Sequence, residues 1–177
     1  SIIELFKLNK LKSEDKILIP GIKSIETYSI IIACIFHGLT YAIYDPLSPD
    51  DRLEKIFNSL DPKCIVSLKR NEILISKLRK NNKFLEIKFK IIKEYIAQEK
   101  INFQACIKQI ESLEDNDLNA YIMFTSGSTG IPKGAIISRE NLNEFIYWIK
   151  EQNKSSHKKV HTNINPLYFD NSIFDIY

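Results

Sequence analysis

The amino-acid sequence predicts an α/β fold in which helices flank a mostly parallel sheet. Two observations carry this prediction. The chain contains several short apolar runs typical of buried strands, and between them lie segments whose apolar residues recur at helical spacing. Strands that alternate with helices in this way are usually joined into a parallel sheet, because each helix carries the chain back to the same starting edge. With 44% hydrophobic and 27% charged residues among 177, the composition is that of a globular domain.

The first part of the chain contains two predicted helices between three predicted strands. One helix is predicted from Ser24 to His37 and is closed by Gly38, although the β-branched residues 30–32 also suit a strand. A second helix is predicted with Ser48 as its N-cap and Pro49 at its first position. Its apolar residues fall on one helical face: Leu53, Ile56, Phe57 and Leu60. The strands are predicted at residues 16–21, 40–44 and 64–68.

The middle of the chain, residues 69–117, carries the weakest pattern. Helical spacing recurs around residues 73–78 and 103–110, whereas residues 83–92 alternate as a strand does. We interpret the whole segment as connecting structure that lies on the surface.

A clearer pattern returns at residue 119. An apolar strand is predicted at residues 120–124, followed by a loop of Ser, Thr and Gly and by a second short strand at residues 133–137. Ser138 is expected to cap a helix with an apolar face formed by Leu142, Phe145, Ile146 and Ile149. Residues 160–168 are predicted to form a last strand, which ends at Phe169-Asp170-Asn171-Ser172.

Several classes of function are disfavoured by composition. The longest strongly apolar run has seven residues, whereas a membrane span needs about 20. The net charge is +3 with lysines scattered among acids, so we expect neither a nucleic-acid partner nor a membrane partner. Three cysteines without metal-ligand spacing, Cys34, Cys64 and Cys106, favour a reducing compartment, and we expect a cytoplasmic protein. No metal ligand or catalytic residue is assigned.

The Ser/Thr/Gly loop is the strongest functional signal. Three of the five glycines, Gly127, Gly130 and Gly134, fall within eight residues, and glycine lets backbone N–H groups approach an anion closely. Four hydroxyl donors and one cation accompany them: Thr125, Ser126, Ser128, Thr129 and Lys133. A polar hairpin turn is the plain alternative, but the ten-residue string between two apolar strands favours a phosphate cradle. It is not a Walker P-loop, since Lys133 precedes Gly134 instead of following a glycine.

Residues 121–134, Tyr-Ile-Met-Phe-Thr-Ser-Gly-Ser-Thr-Gly-Ile-Pro-Lys-Gly, resemble the phosphate-loop signature of the adenylate-forming (AMP-binding) superfamily. Residues 38–53 are similar to a second family segment, with Ile43 where proline is usual. The resemblance implies part of the family's large N-terminal subdomain. Arg139 stands where the family often has histidine, and no role is carried over to it. The implied ATP-phosphate ligands are Thr125, Ser126, Gly127, Ser128, Thr129, Gly130 and Lys133.

The same resemblance implies a ligase reaction that uses ATP and Mg²⁺. A carboxylic acid is activated as an acyl-adenylate with release of pyrophosphate, and the acyl group passes to a thiol or amine, such as CoA or a phosphopantetheine carrier protein. The Phe169-Asp170-Asn171-Ser172 segment is similar to the Phe-Asp-x-Ser of members that activate amino acids, for example D-alanine–carrier-protein ligases. Asp170 would there bind the substrate's ammonium group. The alternative is a turn or cap role for Asp170, and Asp175 is taken as structural.

The family's adenine, ribose, magnesium and C-terminal lysine motifs would follow residue 177. We therefore expect residues 1–177 to be the N-terminal part of an adenylation domain that is inactive by itself, and the first residue, Ser1, not to be the natural start. Two other functions stay open: an acyl-CoA or aryl-acid ligase of the same superfamily, and a non-catalytic nucleotide-binding module. The sequence specifies neither the acid nor its acceptor.

Overall fold

Six strands form one sheet in a computed structural model that describes residues 2–97, 118–125, 131–152 and 162–177. The sheet has the order β4-β3-β1-β2-β5-β6, in which all neighbours are parallel except the antiparallel pair β5–β6. This confirms the predicted mostly parallel α/β fold. The strands are β1 Lys16–Pro20, β2 Thr40–Tyr44, β3 Cys64–Ser67, β4 Leu85–Lys88, β5 Asn119–Thr125 and β6 Lys133–Ser138.

Helices cover both faces of the sheet. Because side chains alternate along a strand, Ile17 and Ile19 of β1 point into one apolar layer and Leu18 points into the other. The first layer also holds residues of α1, α2, α5, α6 and α7, and the second holds residues of α3 and α4. The helices are α1 Ile2–Leu8, α2 Ile25–His37, α3 Asp50–Leu60, α4 Glu72–Arg79, α5 Phe89–Ala97, α6 Arg139–Gln152 and α7 Ser172–Ile176, with a 3-10 turn at Lys69–Asn71 before α4.

Helix α2 ends at Gly38 as predicted and begins at Ile25, one residue after the predicted start, with Ser24 as its N-cap. The hydroxyl of Ser24 accepts the N–H of Thr27, and Gly38 closes the helix with a left-handed φ of 79°. The β-branched run does not break the helix, because Ile30 and Ile31 are fully buried against the sheet. Tertiary packing here outweighs the preference of isoleucine for strands.

The start of α3 differs from the prediction. Pro49 is the N-cap residue with an extended ψ of 148°, and the helix begins at Asp50. Ser48 is not the cap; it precedes the N-cap residue, and its N–H closes a turn on the carbonyl of Asp45. The carbonyl of Pro49 accepts the N–H groups of Arg52 and Leu53 instead, so the proline lies one position earlier than predicted. The apolar face itself is confirmed, since the four predicted residues are all buried.

The interpretation of the middle segment as surface connection is wrong over its described part, residues 69–97. β4 extends the sheet beyond β3, and α4 and α5 bury residues such as Leu74 and Ile92. The predicted strand at residues 83–92 is half right, because the chain turns from β4 into α5 at Phe89. The helix predicted around residues 103–110 lies outside the described residues.

The last predicted strand is also wrong over its described part. Residues 162–168 form no strand, and residues 160–161 lie outside the described residues. Pro166 has no N–H to give to a sheet, and the N–H of Asn165 is used by the carboxylate of Asp175. The chain therefore turns here and enters α7 instead of joining the sheet.

Two of the three cysteines are described, and both are buried as predicted. Burial raises the pKa of the Cys34 and Cys64 thiols well above the ordinary value. Cys106 lies outside the described residues. In the part of the chain that the structure covers, every helix is too short or too polar to cross a membrane.

Candidate functional site

The β5–β6 pair holds both described ends of the predicted phosphate loop. Thr125, the last residue of β5, lies opposite Lys133, the first residue of β6. Both side chains are exposed, and the Thr125 hydroxyl donates to the Lys133 carbonyl over 3.5 Å, at the long limit for a hydrogen bond. Ser126, Gly127, Ser128, Thr129 and Gly130 lie outside the described residues. The two residues that flank the predicted loop, one with a hydroxyl and one with an ammonium side chain, are thus paired across the two strands.

Gly134 allows β6 to lie close against the side chains of β5. A Cβ atom at this position would lie 2.8 Å from Cγ2 of Ile122 and 3.2 Å from Cε1 of Phe124. Both side chains belong to the buried layer under α3. The glycine is therefore required by space next to the loop.

Thr125, where the predicted loop begins, ends β5 at the carboxyl edge of the parallel sheet, where ligands of open α/β sheets bind. Gly21 follows β1 at this edge, and a Cβ atom there would lie 3.0 Å from Cδ1 of Tyr168. Asp45 follows β2 at the same edge, and its charge acts on Tyr168: burial, and then Asp45, raises the pKa of that phenol. The segment that carries Asp170 therefore crosses the carboxyl ends of β1 and β2.

Two further hydrogen bonds fasten this segment to the first strand–helix turn. The Nζ atom of Lys23 donates to the carbonyl of Asn163 over 2.7 Å. The side-chain amide of Asn163 donates to the Tyr28 hydroxyl over 2.6 Å. Since Lys23 precedes α2 and Tyr28 lies in its first turns, the crossing segment is held over the start of that helix.

Asp170 presents an exposed carboxylate in this crossing segment. Its Oδ1 accepts the N–H of Asn171 over 2.8 Å. It also acts on Tyr121 of β5, since burial and then the negative charge of Asp170 raise the pKa of the Tyr121 phenol. The N-cap of α7 is Asn171, not Asp170. Asp170 is thus placed near β5 as an accessible anion.

Asp175 has a different environment. Its Oδ2 accepts two hydrogen bonds from Asn165, one from the backbone N–H and one from the side-chain amide, each over 3.0 Å. The side chain is half-buried. These contacts agree with the structural role expected for Asp175.

Sequence reasoning missed the residues that position this segment: Gly21, Lys23, Tyr28, Asp45 and Tyr168. A signal for two of them existed, because Pro20-Gly21 and Asp45-Pro46 end consecutive predicted parallel strands, whose carboxyl ends share one edge. The contacts of Lys23 and Tyr28 with Asn163 join residues more than 130 positions apart, and no local pattern indicates them.

Arg139 begins α6 and is almost fully buried, at 6% exposure. Its guanidinium donates to the carbonyl of Ile35 near the end of α2, and its backbone N–H donates to Leu118. A cation next to the last carbonyls of a helix is favourable. Arg139 therefore ties α6 to α2 on the packed side of the sheet.

The described residues do not assemble a metal centre of their own. Across residues 2–97, 118–125, 131–152 and 162–177, no three His, Cys, Asp or Glu side chains converge in a way that could hold an ion. Mg²⁺ thus stays a prediction from the resemblance, and no chemical step is derived through it.

The family profile described as AMP-binding enzyme matches residues 4–177, nearly the whole chain. The chain belongs to the AMP-binding enzyme family. Its mostly parallel sheet is therefore part of the fold of an AMP-binding enzyme.

Two curated relatives of the family carry names that state an activity. The chain is 29% identical over 167 residues to an L-proline--[L-prolyl-carrier protein] ligase of Pseudomonas fluorescens, covering 92% of this chain and 32% of the relative. It is 33% identical over 148 residues to a D-alanine--D-alanyl carrier protein ligase of Staphylococcus aureus, covering 83% of this chain and 27% of the relative. The chain thus spans about a third or less of the length of these relatives.

Solved structures share the fold at low identity. ATP-bound MatB from Rhodopseudomonas palustris superposes with a TM-score of 0.77 at 18% identity, covering 98% of this chain and 34% of that one. A four-domain nonribosomal peptide synthetase bound to AMP and glycine superposes with a TM-score of 0.71 at 18% identity, covering 99% of this chain and 12% of that one. At such identity the likeness concerns the fold alone.

Proposed function

We propose that the protein activates the carboxyl group of an amino acid with ATP and then transfers the aminoacyl group to the thiol of a carrier protein. Within this activity, residues 1–177 would supply the part of the adenylation domain that binds phosphate and the substrate's amino group. The exposed carboxylate of Asp170 at the carboxyl edge of the sheet is the observation that carries the proposal. The names of the two carrier-protein ligase relatives support it.

The first half-reaction is a nucleophilic substitution at phosphorus. A carboxylate oxygen of the amino acid attacks the α-phosphorus of ATP and forms a new P–O bond. The bond from the α-phosphorus to the bridging oxygen of the β-phosphate breaks, and pyrophosphate leaves with that electron pair. Such reactions depend on positioning and on neutralising phosphate charge. Mg²⁺ bound with the nucleotide would supply part of that neutralisation.

Thr125 and Lys133 are suited to hold the phosphates. Their side chains are exposed on adjacent ends of β5 and β6, and a hydroxyl donor beside an ammonium group matches a phosphate's acceptor oxygens and its charge. Backbone N–H groups of the loop between them would complete the cradle.

Asp170 is suited to bind an ammonium group. An ammonium ion that leaves water needs a carboxylate partner, because an unpaired charge in a closed site is strongly unfavourable. The Asp170 side chain is exposed, whereas Oδ2 of Asp175 accepts two hydrogen bonds from Asn165. Of the two carboxylates, Asp170 is therefore the one available to a substrate.

The test is ATP–pyrophosphate exchange by the complete polypeptide that carries this sequence, with a panel of amino acids, aryl acids and fatty acids. We expect exchange with at least one amino acid and its loss in Asp170→Ala. Exchange only with acids that lack an amino group would favour the acyl-CoA or aryl-acid ligase alternative. ATP binding by calorimetry without exchange on any acid would favour the non-catalytic alternative.

A further inference from the structure

The segment from Asn165 to Asp175 is a closed loop with Asp170 at its middle. The two hydrogen bonds from Asn165 to Oδ2 of Asp175 join residues ten positions apart, so Asp170 lies five residues from each end. Closing a loop of this length costs conformational entropy. These two hydrogen bonds, here termed the Asn165–Asp175 clamp, offset that cost.

Hydrogen bonds and buried side chains also fix the residues between the two ends of the loop. The Ser172 hydroxyl is fully buried and lies 2.6 Å from the carbonyl oxygen of Phe169 and 3.0 Å from that of Leu167, so its one proton is shared between them. The N–H of Phe169 donates to Pro166 over 2.9 Å. Leu167 and Ile173 are buried in the core. The tip, Phe169-Asp170-Asn171, is exposed.

We propose that Asp175 is a positioning residue, which acts through the Asn165–Asp175 clamp to fix the Asp170 carboxylate for the substrate's ammonium group. This inference rests on the proposed function. A carboxylate held in place before the substrate arrives loses no freedom on binding, and binding is tighter for that reason. The two acidic residues of the loop would then have separate duties, Asp170 as a charge and Asp175 as a hydrogen-bond acceptor.

If Asp170 acts as a charge and Asp175 as a hydrogen-bond acceptor, substitution by asparagine should have opposite outcomes for amino-acid binding at the two positions. A single oxygen of Asp175 accepts both hydrogen bonds, and the amide oxygen of asparagine can accept the same two. Asp175→Asn should therefore keep the clamp, whereas Asp175→Ala should lose it. At Asp170 asparagine keeps the shape but removes the charge that the ammonium group needs.

The experiment is amino-acid-dependent pyrophosphate exchange by the complete polypeptide, with L-proline and D-alanine as the probes. Asp175→Ala should raise the KM for the amino acid about 10-fold, and Asp175→Asn should change it by less than about 2-fold. Asp170→Asn should raise it by about 100-fold or more. The KM for ATP should stay within about 2-fold in all three variants, because the clamp lies outside the phosphate loop.

Two further variants separate positioning from general damage. Asn165→Ala keeps the backbone N–H but removes one of the two bonds, so its effect on KM should be smaller than that of Asp175→Ala. Glu94→Gln, which removes an exposed charge on α5, should leave both KM values unchanged. Melting curves of all variants identify any that fail to fold, and for these the Asn165→Ala result decides.

The outcomes distinguish the inference from the proposed function. An unchanged amino-acid KM in Asp175→Ala, or equal damage from Asp175→Asn and Asp175→Ala, overturns the positioning role while Asp170 keeps its own. If Asp170→Asn is active and Asp175→Asn is inactive, Asp175 is the ammonium ligand and both assignments are wrong. If neither probe nor any other amino acid supports exchange, the proposed function fails first and the inference fails with it.

Discussion

Replacing Gly134 with alanine tests the packing of β6 against the side chains of β5 next to the predicted phosphate loop. The new Cβ would lie 2.8 Å from Cγ2 of Ile122 and 3.2 Å from Cε1 of Phe124, whereas carbon atoms in contact prefer about 3.5–4.0 Å. Both neighbours are 8% exposed and packed in the layer below α3, so they have little room to withdraw. The strand pair must separate by about 0.7 Å or the side chains must leave their rotamers.

The cost follows from these distances. Overpacking of this kind destabilises by about 1–3 kcal/mol, and the lower entropy of the unfolded alanine chain returns about 0.4–1 kcal/mol. We expect a net loss of about 1–2 kcal/mol, or a melting temperature lower by about 2–8 °C for a chain of this size. Ala135→Ser, at the exposed neighbouring position, is the matched control and should stay within about 0.5 kcal/mol.

The assay is urea unfolding followed by circular dichroism, with Ile122→Ala and the double variant completing a cycle. Ile122→Ala removes the Cγ2 atom that the new Cβ would meet, so the double variant should be more stable than the sum of the single losses by about 1 kcal/mol. Strict additivity, or a Gly134→Ala protein as stable as the unaltered one, would refute the steric reasoning.

Three other predictions concern the core and the caps. Gly38→Ala should destabilise by about 1–2 kcal/mol in urea unfolding, because the residue has a φ of 79° and a Cβ there would lie 2.4 Å from Oγ of Ser13; an unchanged midpoint would contradict this. Tyr44→Phe should cost about 1 kcal/mol in the same assay, since its buried hydroxyl lies 3.2 Å from the Val66 carbonyl and 3.3 Å from Oδ1 of Asn71, and a cost near zero would show that these bonds add nothing. Cys34 and Cys64 should resist a disulfide reagent at pH 8 until the protein unfolds, because burial keeps the pKa of both thiols far above that pH; rapid modification of either in the folded state, detected by mass spectrometry, would be evidence against the packing.

Local patterns were sufficient where an element is apolar, short and bounded by turn residues. β1, β2, β3 and β5 follow apolar runs, and α2 ends at its predicted terminator, Gly38. β4 and α5 were not separated, because residues 83–92 satisfy a strand pattern and then a helical one without a glycine or proline between them. This segment extends the core because β4 pairs with β3, and a local sequence pattern does not encode such pairing.

The candidate site could be predicted only in part, because local motifs identify its residues but not their arrangement in space. Thr125, Lys133 and Asp170 are predictable from short motifs that carry their own chemistry. Their common edge depends on strand order, because Tyr41 of β2 pairs with Tyr121 of β5, which lies 80 positions further along the chain, and no local pattern indicates this pairing. The contacts of Tyr168 with Gly21 and of Asn165 with Asp175 depend on where the chain turns after Pro166, which the apolar pattern of residues 160–168 misrepresented as a strand.

Whether Asp170 binds the amino group of the activated acid can be measured with a pair of substrates that differ only in that group. Pyrophosphate exchange is measured with the amino acid that the unaltered polypeptide uses best and with the analogue of that acid that lacks only the amino group, in the unaltered polypeptide and in Asp170→Ala. We expect a preference for the amino acid of about 100-fold or more in the unaltered protein, and the loss of most of that preference in the variant. Equal use of both acids by the unaltered protein, or the same preference in both proteins, would contradict this role of Asp170.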